Sequence, residues 1–398
     1  MKKFLKILSI VACVSLSISF TGFKGFAHTH GGYSHESTVN LTMNNWMSGL
    51  SDELTINEVS IPGTGNSMSY GNHTDFTLTQ SMDLETQLNS GIRFLDLSIN
   101  QVGDDTLNVV MGLTELGYTL VDVVNEVKNF LTQNNNEFVI IKVTEKGSEY
   151  GNFGYALKNS LQNNGLSDII FDGTTSRNPK LKDVRGKIII LSDYDGNKWK
   201  SIPYRDNAYI QDDNHLNTNW DLYSKWEKVK KQLHDANKIR NKNKRYINYL
   251  TGGGGSFPYF VASGHSSSGT DAPRLSTGLT EPAFGGYYKD FPRVNRFGVF
   301  STIAFEGTNV LTLNEIVRNE LGFVGIIVAD FPGSGLIREV INSNFNRTQS
   351  HGSGSSGSNG SSNNSSNESS SNNGGFGFTY KSGYVNSNNK PSSNLWSN

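Results

Sequence analysis

Between about residue 40 and residue 346, short runs rich in β-branched and apolar side chains alternate with stretches of helical periodicity. Candidate strands fall at 58–61, 92–97, 107–111, 138–143, 187–191, 246–250 and 324–329. Several are nearly continuous apolar runs, the pattern of parallel strands covered on both faces. Between them, Leu120, Val121, Val123, Val124, Val127, Phe130 and Leu131 follow Thr119 at helical spacing. A longer helical pattern, polar on one side, covers 220–239, and another helix is expected at 311–321. Strand, helix and strand repeated over roughly 300 residues predict an α/β fold, a single (β/α) TIM-type barrel of distorted outline. No repeat of solenoid period interrupts this reading.

Composition sharpens the picture mainly at the ends. A chain of 398 residues, 35% hydrophobic and 18% charged, is long enough to bury a full core. Residues 1–27 read as a signal peptide: Lys2, Lys3 and Lys6 form a charged start, 7–20 an apolar core, and Gly25-Phe26-Ala27 a small-residue cleavage site. The protein is therefore expected to be secreted. Cleavage there removes Cys13, the single cysteine, so neither a disulfide framework nor a thiolate metal site is expected. It also removes four lysines and no acid, taking the formal charge from −1 to −5. Such a balance gives no support to nucleic-acid binding and leaves at most peripheral membrane contact. The barrel is assigned to 28–346. Residues 347–373, almost all Ser, Asn and Gly, read as a disordered linker, and 374–398 as a short tail carrying Phe376, Phe378, Tyr380, Tyr384 and Trp396. A monomer is expected.

One group of motifs goes further than pattern. Val59-Ser60-Ile61-Pro62-Gly63-Thr64 lies at a strand, and Thr79-Gln80-Ser81-Met82-Asp83-Leu84 leads into Gln87 to Asp96 through Ser90-Gly91-Ile92-Arg93-Phe94. Asp183-Val184-Arg185-Gly186-Lys187, Tyr246-Ile247-Asn248-Tyr249-Leu250, Pro258 to Gly264 and a last strand ending at Asp330 follow in order. This ordered set resembles the X domain of bacterial phosphatidylinositol-specific phospholipases C from about Trp46 to Ile341. The resemblance implies a barrel that cleaves phosphatidylinositol by internal attack of the inositol 2-hydroxyl. One histidine takes that proton, a second protonates the departing diacylglycerol, and an arginine neutralises charge on phosphorus.

Carried onto this chain residue by residue, the resemblance points to altered chemistry. The base position is Gly65 and its acidic neighbour Asn66; the arginine position is Ser98 and the general-acid position Met111. The headgroup lysine falls at about Thr144 and a further arginine at Asp193, while Asp96, Asp330 and Asp212 remain of the charged set. Glycine, serine and methionine replace neither an imidazole nor a guanidinium. Fold resemblance alone does not license function, so whether the chain is an enzyme stays open here.

Three readings follow. The favoured one is a secreted, catalytically impaired relative acting as a binding or structural module, with a phospholipid headgroup or another small polar molecule as ligand. Another is a phosphodiesterase with a rebuilt, calcium-assisted site, in which Asn66, Asp96 and either Glu145 or Asp330 supply oxygen ligands. The remaining one is an unimpaired lyase. No resident cofactor is expected under the favoured reading. His73 and His265 read as exposed loop histidines, and His28, His30 and His35 as part of a flexible N-terminal stretch. Phe284, Tyr287, Tyr288, Phe291 and Phe297 read as packing for a long loop.

Overall fold

The computed structural model describes residues 31–71, 73–147 and 150–345. The expected signal peptide, linker and tail, with Cys13, His28 and His30, lie outside the described residues. The chain runs through β1 (Ile61–Thr64), α1 (Leu84–Asn89), β2 (Phe94–Gln101), β3 (Leu107–Met111), β4 (Thr114–Thr119), α2 (Leu120–Gln133) and β5 (Val139–Glu145). Next come α3 (Phe153–Asn163), α4 (Leu181–Val184), β6 (Ile188–Asp193), β7 (Ile202–Pro203), β8 (Ala208–Gln211), β9 (His215–Leu216), α5 (Leu222–Ile239) and β10 (Arg245–Tyr249). The last stretch comprises β11 (Gly253–Gly254), α6 (Pro258–Ser263), β12 (Ser276–Glu281), β13 (Arg293–Phe297), β14 (Phe300–Ala304), α7 (Thr308–Arg318), β15 (Ile326–Ala329) and α8 (Ser334–Asn342).

Eight strands form one curled path in the order β7-β6-β5-β2-β1-β15-β10-β8. Every ladder along it is parallel. The two end strands share no ladder among the described residues, so the expected distorted α/β barrel is open between β7 and β8.

Alternation along β15 divides its buried residues between two core clusters. Phe94, Ile140, Ile189, Ile247, Ile326 and Val328 belong to one buried cluster. On the opposite parity, Ile327 and Ala329 join a second cluster with Leu222, Trp226, Val229 and Leu233 of α5. The turned-out Asn248 amide donates to the Val229 carbonyl of α5 at 2.9 Å. Helix α2 buries Leu120, Val123, Val124, Val127 and Leu131 as its periodicity predicts, and Thr119 accepts from the Asp122 N–H to start it.

Three expectations are corrected. Residues 107–111 form the expected strand, but it runs antiparallel to β2 and returns through β4 as an added hairpin. The segment 58–61 starts its strand only at Ile61, because Glu58 accepts from the Thr55 N–H at 3.1 Å and closes the Ile56–Glu58 turn. The 276–304 region also holds an antiparallel sheet, β12-β14-β13, that was expected as loop.

A fully buried ion pair ties the barrel to the N-terminal segment. Arg93 Nε meets Glu137 Oε2 at 2.8 Å, with neither side chain exposed. The guanidinium also donates to the Leu88, Ile92 and Asn44 carbonyls, and Glu137 accepts from the Met47 N–H at 2.7 Å. Burial pushes the Glu137 carboxyl up and the Arg93 guanidinium down, and each group's charge opposes the shift of the other. Removing one partner leaves a buried charge uncompensated. Glu137→Ala is therefore expected to cost about 3–5 kcal/mol, read as a fall in the urea unfolding midpoint.

Candidate functional site

The site follows from register. Because every second residue of a strand faces the same way, the inward series continues past the apolar layer into a polar one. Asp96 of β2 pairs with Lys142 of β5, and Lys142 with Leu191 of β6; two residues further along, Ser98 pairs with Thr144 and Thr144 with Asp193. On the other side, Gly63 pairs with Val328, so Gly65 and Asp330 come next on the same parity. The barrel's carboxyl ends thereby gather Gly65, Asp96, Ser98, Thr144, Asp193 and Asp330.

Lys142 is the residue that the sequence reading missed. Its ammonium lies 3.1 Å from Asp96 Oδ1, 3.3 Å from Oδ2 and 4.0 Å from Asp193 Oδ2. It sits over the Tyr204 and Tyr249 rings, 4.7 and 5.6 Å from their centroids. Tyr249 donates its hydroxyl to Asp96 Oδ2 at 2.8 Å, and Tyr204 reaches the Tyr249 oxygen at 3.4 Å. Burial, with Asp96 adding to it, pushes the Tyr249 phenol well above its usual range, so it stays a donor. The arginine and lysine positions of the resemblance, at Ser98, Thr144 and Asp193, carry no cation, yet one arrives from a neighbouring position. The signal was legible in principle: Lys142 stands two residues before Thr144, hence on the same face.

Gly65 occupies the base position and leaves no room for a side chain. A Cβ there would lie 2.7 Å from Thr251 Cγ2 and 2.9 Å from Asp330 Oδ1. Asp330 is buried, accepts from the Gly252 N–H, and has no partner for Oδ1. Burial raises its carboxyl well above the usual range; Lys225 opposes this and Asp96 adds to it. Lys225 itself, buried on α5 and donating to the Asp213 carbonyl at 2.6 Å, is pushed down to about 7 by the same desolvation.

The other expected residues divide. Asn66 sits in the left-handed region at φ 41°, next to Gly65 in the turn after β1. Met111 is half-buried against the apolar core and brings no acid to the site. Thr144 Oγ1 is buried without a partner. Asp193 holds Arg205 at 3.4 Å and opens on a cleft of about 630 Å³ that Glu145, Tyr194, Asp195, Lys198 and Tyr204 also line. Asp212 is exposed beyond β8, in a separate cleft with Asp213, Lys228 and Lys231.

Among the histidines, His265 is buried edge-on to Tyr33, not exposed in a loop. His35 rests on Phe331 with ring centroids 4.9 Å apart and is held through its backbone N–H by Thr270, so it is not part of a loose stretch. His73 stays in a half-exposed loop. Of the aromatics, Phe291 packs against Tyr223, Tyr288 and Phe305, whereas Phe284, Tyr287 and Phe297 are exposed.

The oxygen set expected for calcium does not fit as arranged. Lys142 takes both oxygens of Asp96, and among the described residues no group of three or more His, Cys, Asp or Glu side chains gathers to share an ion.

Comparison with known proteins agrees with this architecture. Residues 56–194 match the family model of the phosphatidylinositol-specific phospholipase C X domain. The 1-phosphatidylinositol phosphodiesterase of Listeria monocytogenes is 28% identical over 262 residues, spanning 61% of this chain and 79% of the relative. The Staphylococcus aureus enzyme of the same name is 28% identical over 276 residues, spanning 61% and 81%. Among solved structures, the Listeria monocytogenes phosphatidylinositol-specific phospholipase C superposes with a TM-score of 0.55 at 22% identity, covering 76% of this chain and 99% of that one. At that identity the superposition speaks for the fold alone. Residues 56–194 thus match the X domain of the phosphatidylinositol-specific phospholipases C, and the chain shares the barrel fold of the bacterial enzymes.

Proposed function

We propose that this protein is a secreted, catalytically impaired relative of the bacterial phosphatidylinositol phosphodiesterases, whose barrel mouth holds a small polar ligand without turning it over. The observation that carries this reading is the filled space at Gly65. Thr251 and Asp330 stand where a side chain on that residue would go, and Asp330 Oδ1 has nothing to bond. A base needs a titrating group within hydrogen-bond reach of the proton it removes. Gly65, Asn66, Ser98 and Met111 offer none near neutral pH. The charged set supports the same reading, since the mouth's lysine is engaged by Asp96. Export is supported by the charged, then apolar, then small-residue order of the first 27 residues.

The test is diacylglycerol release from phosphatidylinositol vesicles by the full chain, with and without calcium. Loss of both acid–base groups predicts turnover more than ~10³-fold below a relative with an intact site in either condition. Turnover within that margin contradicts the impaired reading, and turnover appearing only with calcium favours the rebuilt, metal-assisted one. The packing around Gly65 sets the repair. A variant carrying Gly65→His, Asn66→Asp, Ser98→Arg and Met111→His gains cleavage only when Thr251→Ala makes room for the imidazole.

The buried Asp330 carboxyl gives an independent check by pH. Its folded-state pKa is raised, so its favourable contribution is full below the unfolded value of about 3.9 and is lost as pH rises through the folded value. Asp330→Asn should therefore be more stable than the parent at pH 7, with the difference vanishing near pH 3. Urea midpoints across that range read it out. A gap independent of pH would mean that the carboxyl is already ionised and partnered.

A further inference from the structure

The geometry points to Lys142 as the residue that sets the charge of the ligand: its ammonium is used inside the site, so the mouth accepts an uncharged polyol and gains nothing from a phosphate. This rests on the reading of the mouth as a binding site, and it names the ligand class.

The Lys142 ammonium has little left to offer a ligand. A lysine carries three donors. Asp96 takes contacts at 3.1 and 3.3 Å, Asp193 stands at 4.0 Å, and the Tyr204 and Tyr249 rings cover the ammonium. The lysine and aspartate side chains are only 11% and 13% exposed. An arriving phosphate would have to draw the ammonium away from Asp96 and leave that carboxylate unpaired in a poorly hydrated site, which offsets what the phosphate gains.

The surroundings do not make up the difference. In the neighbouring cleft, Glu145, Asp193 and Asp195 face Lys198 and Arg205. Arg205 is engaged by Asp193, and Lys198 lies over the Tyr194 ring, 4.3 Å from its centroid. A dianion therefore meets more carboxylates than cations.

A hydroxyl meets the opposite situation. Thr144 Oγ1 and Asp330 Oδ1 are buried at the strand ends without partners. Unpaired polar atoms of this kind favour a ligand that completes them. A hydroxyl both donates and accepts, so it suits either atom, whereas a phosphate dianion only accepts and asks for a free cation. The Tyr204 and Tyr249 phenols and Asp96 are already paired with one another and with Lys142, and a neutral hydroxyl leaves those pairs intact.

Calorimetric titration of the full chain with myo-inositol, myo-inositol 1-phosphate and inorganic phosphate tests this. The polyol is expected to bind, its phosphomonoester to bind no more than ~3-fold tighter, and phosphate alone to give no binding heat. In Lys142→Met, Asp96 and Asp193 lose their counter-cation, and the phosphomonoester should weaken relative to the polyol by at least ~10-fold, while Lys142→Arg keeps the parental ratio. A phosphomonoester more than ~10-fold tighter than the polyol in the parent would overturn the proposal, as would no heat with the polyol. If Lys142→Met does not fold, the parental ratio decides alone. The cleavage assay remains a separate readout, so turnover there defeats the impaired-site reading whatever this ratio proves to be.

Discussion

The organising constraint of this protein is the parallel register of its inner strands. Once Asp96, Lys142 and Leu191 are neighbours across two ladders, the side chains two positions further on, Ser98, Thr144 and Asp193, are neighbours too. Neither row can be moved without turning apolar residues outward, because a slip of one residue exchanges the two faces of a strand. The mouth is thus built by the same alternation that builds the core, and its chemistry is set by which residues occupy a few inward positions. Close packing enforces the arrangement. A Cβ on Gly63 would lie 2.8 Å from Phe94 Cβ, so the glycine in β1 is what lets that ring fill the barrel.

Within this frame the charges of the site form a self-contained set. A lone buried carboxylate is costly, and losing one member of a pair is worse than losing both. Asn66 and Ser98 stand together where the resemblance places an acid and an arginine. Asp96, which remains of the charged set, does not stand alone. Lys142 comes from the adjacent strand to hold it, with Tyr249 donating to the other oxygen. Asp330 solves the same problem differently, since burial favours its neutral form. The outcome is a mouth whose polar groups answer mainly to each other.

Much of the fold was legible from the sequence. Continuous apolar runs such as 138–143 identify inner strands, and Thr119 with the spacing of Leu120 to Leu131 identifies α2 to within two residues. The direction of β3 was not, because a five-residue run reads alike in parallel and antiparallel pairs. Strands of two to four residues such as β7 and β8 are too short to show a period. At the site, the replaced positions could be named from motif order alone. Lys142 escaped because a lysine inside an apolar run was weighed as part of a strand and not by the face it takes. Thr251 escaped because its role depends on a contact between residues 186 positions apart in sequence, which no local pattern carries.

The central claim is that the mouth's cation is bound internally, and a double-mutant cycle between Lys142→Met and Asp96→Leu measures that directly. Unfolding free energies of the parent, the two single variants and the double variant give the coupling. The account predicts a coupling of at least about 1 kcal/mol, with each single variant less stable than the double variant implies. Additivity within about 0.3 kcal/mol would contradict it, because the ammonium would then be free to meet an anion.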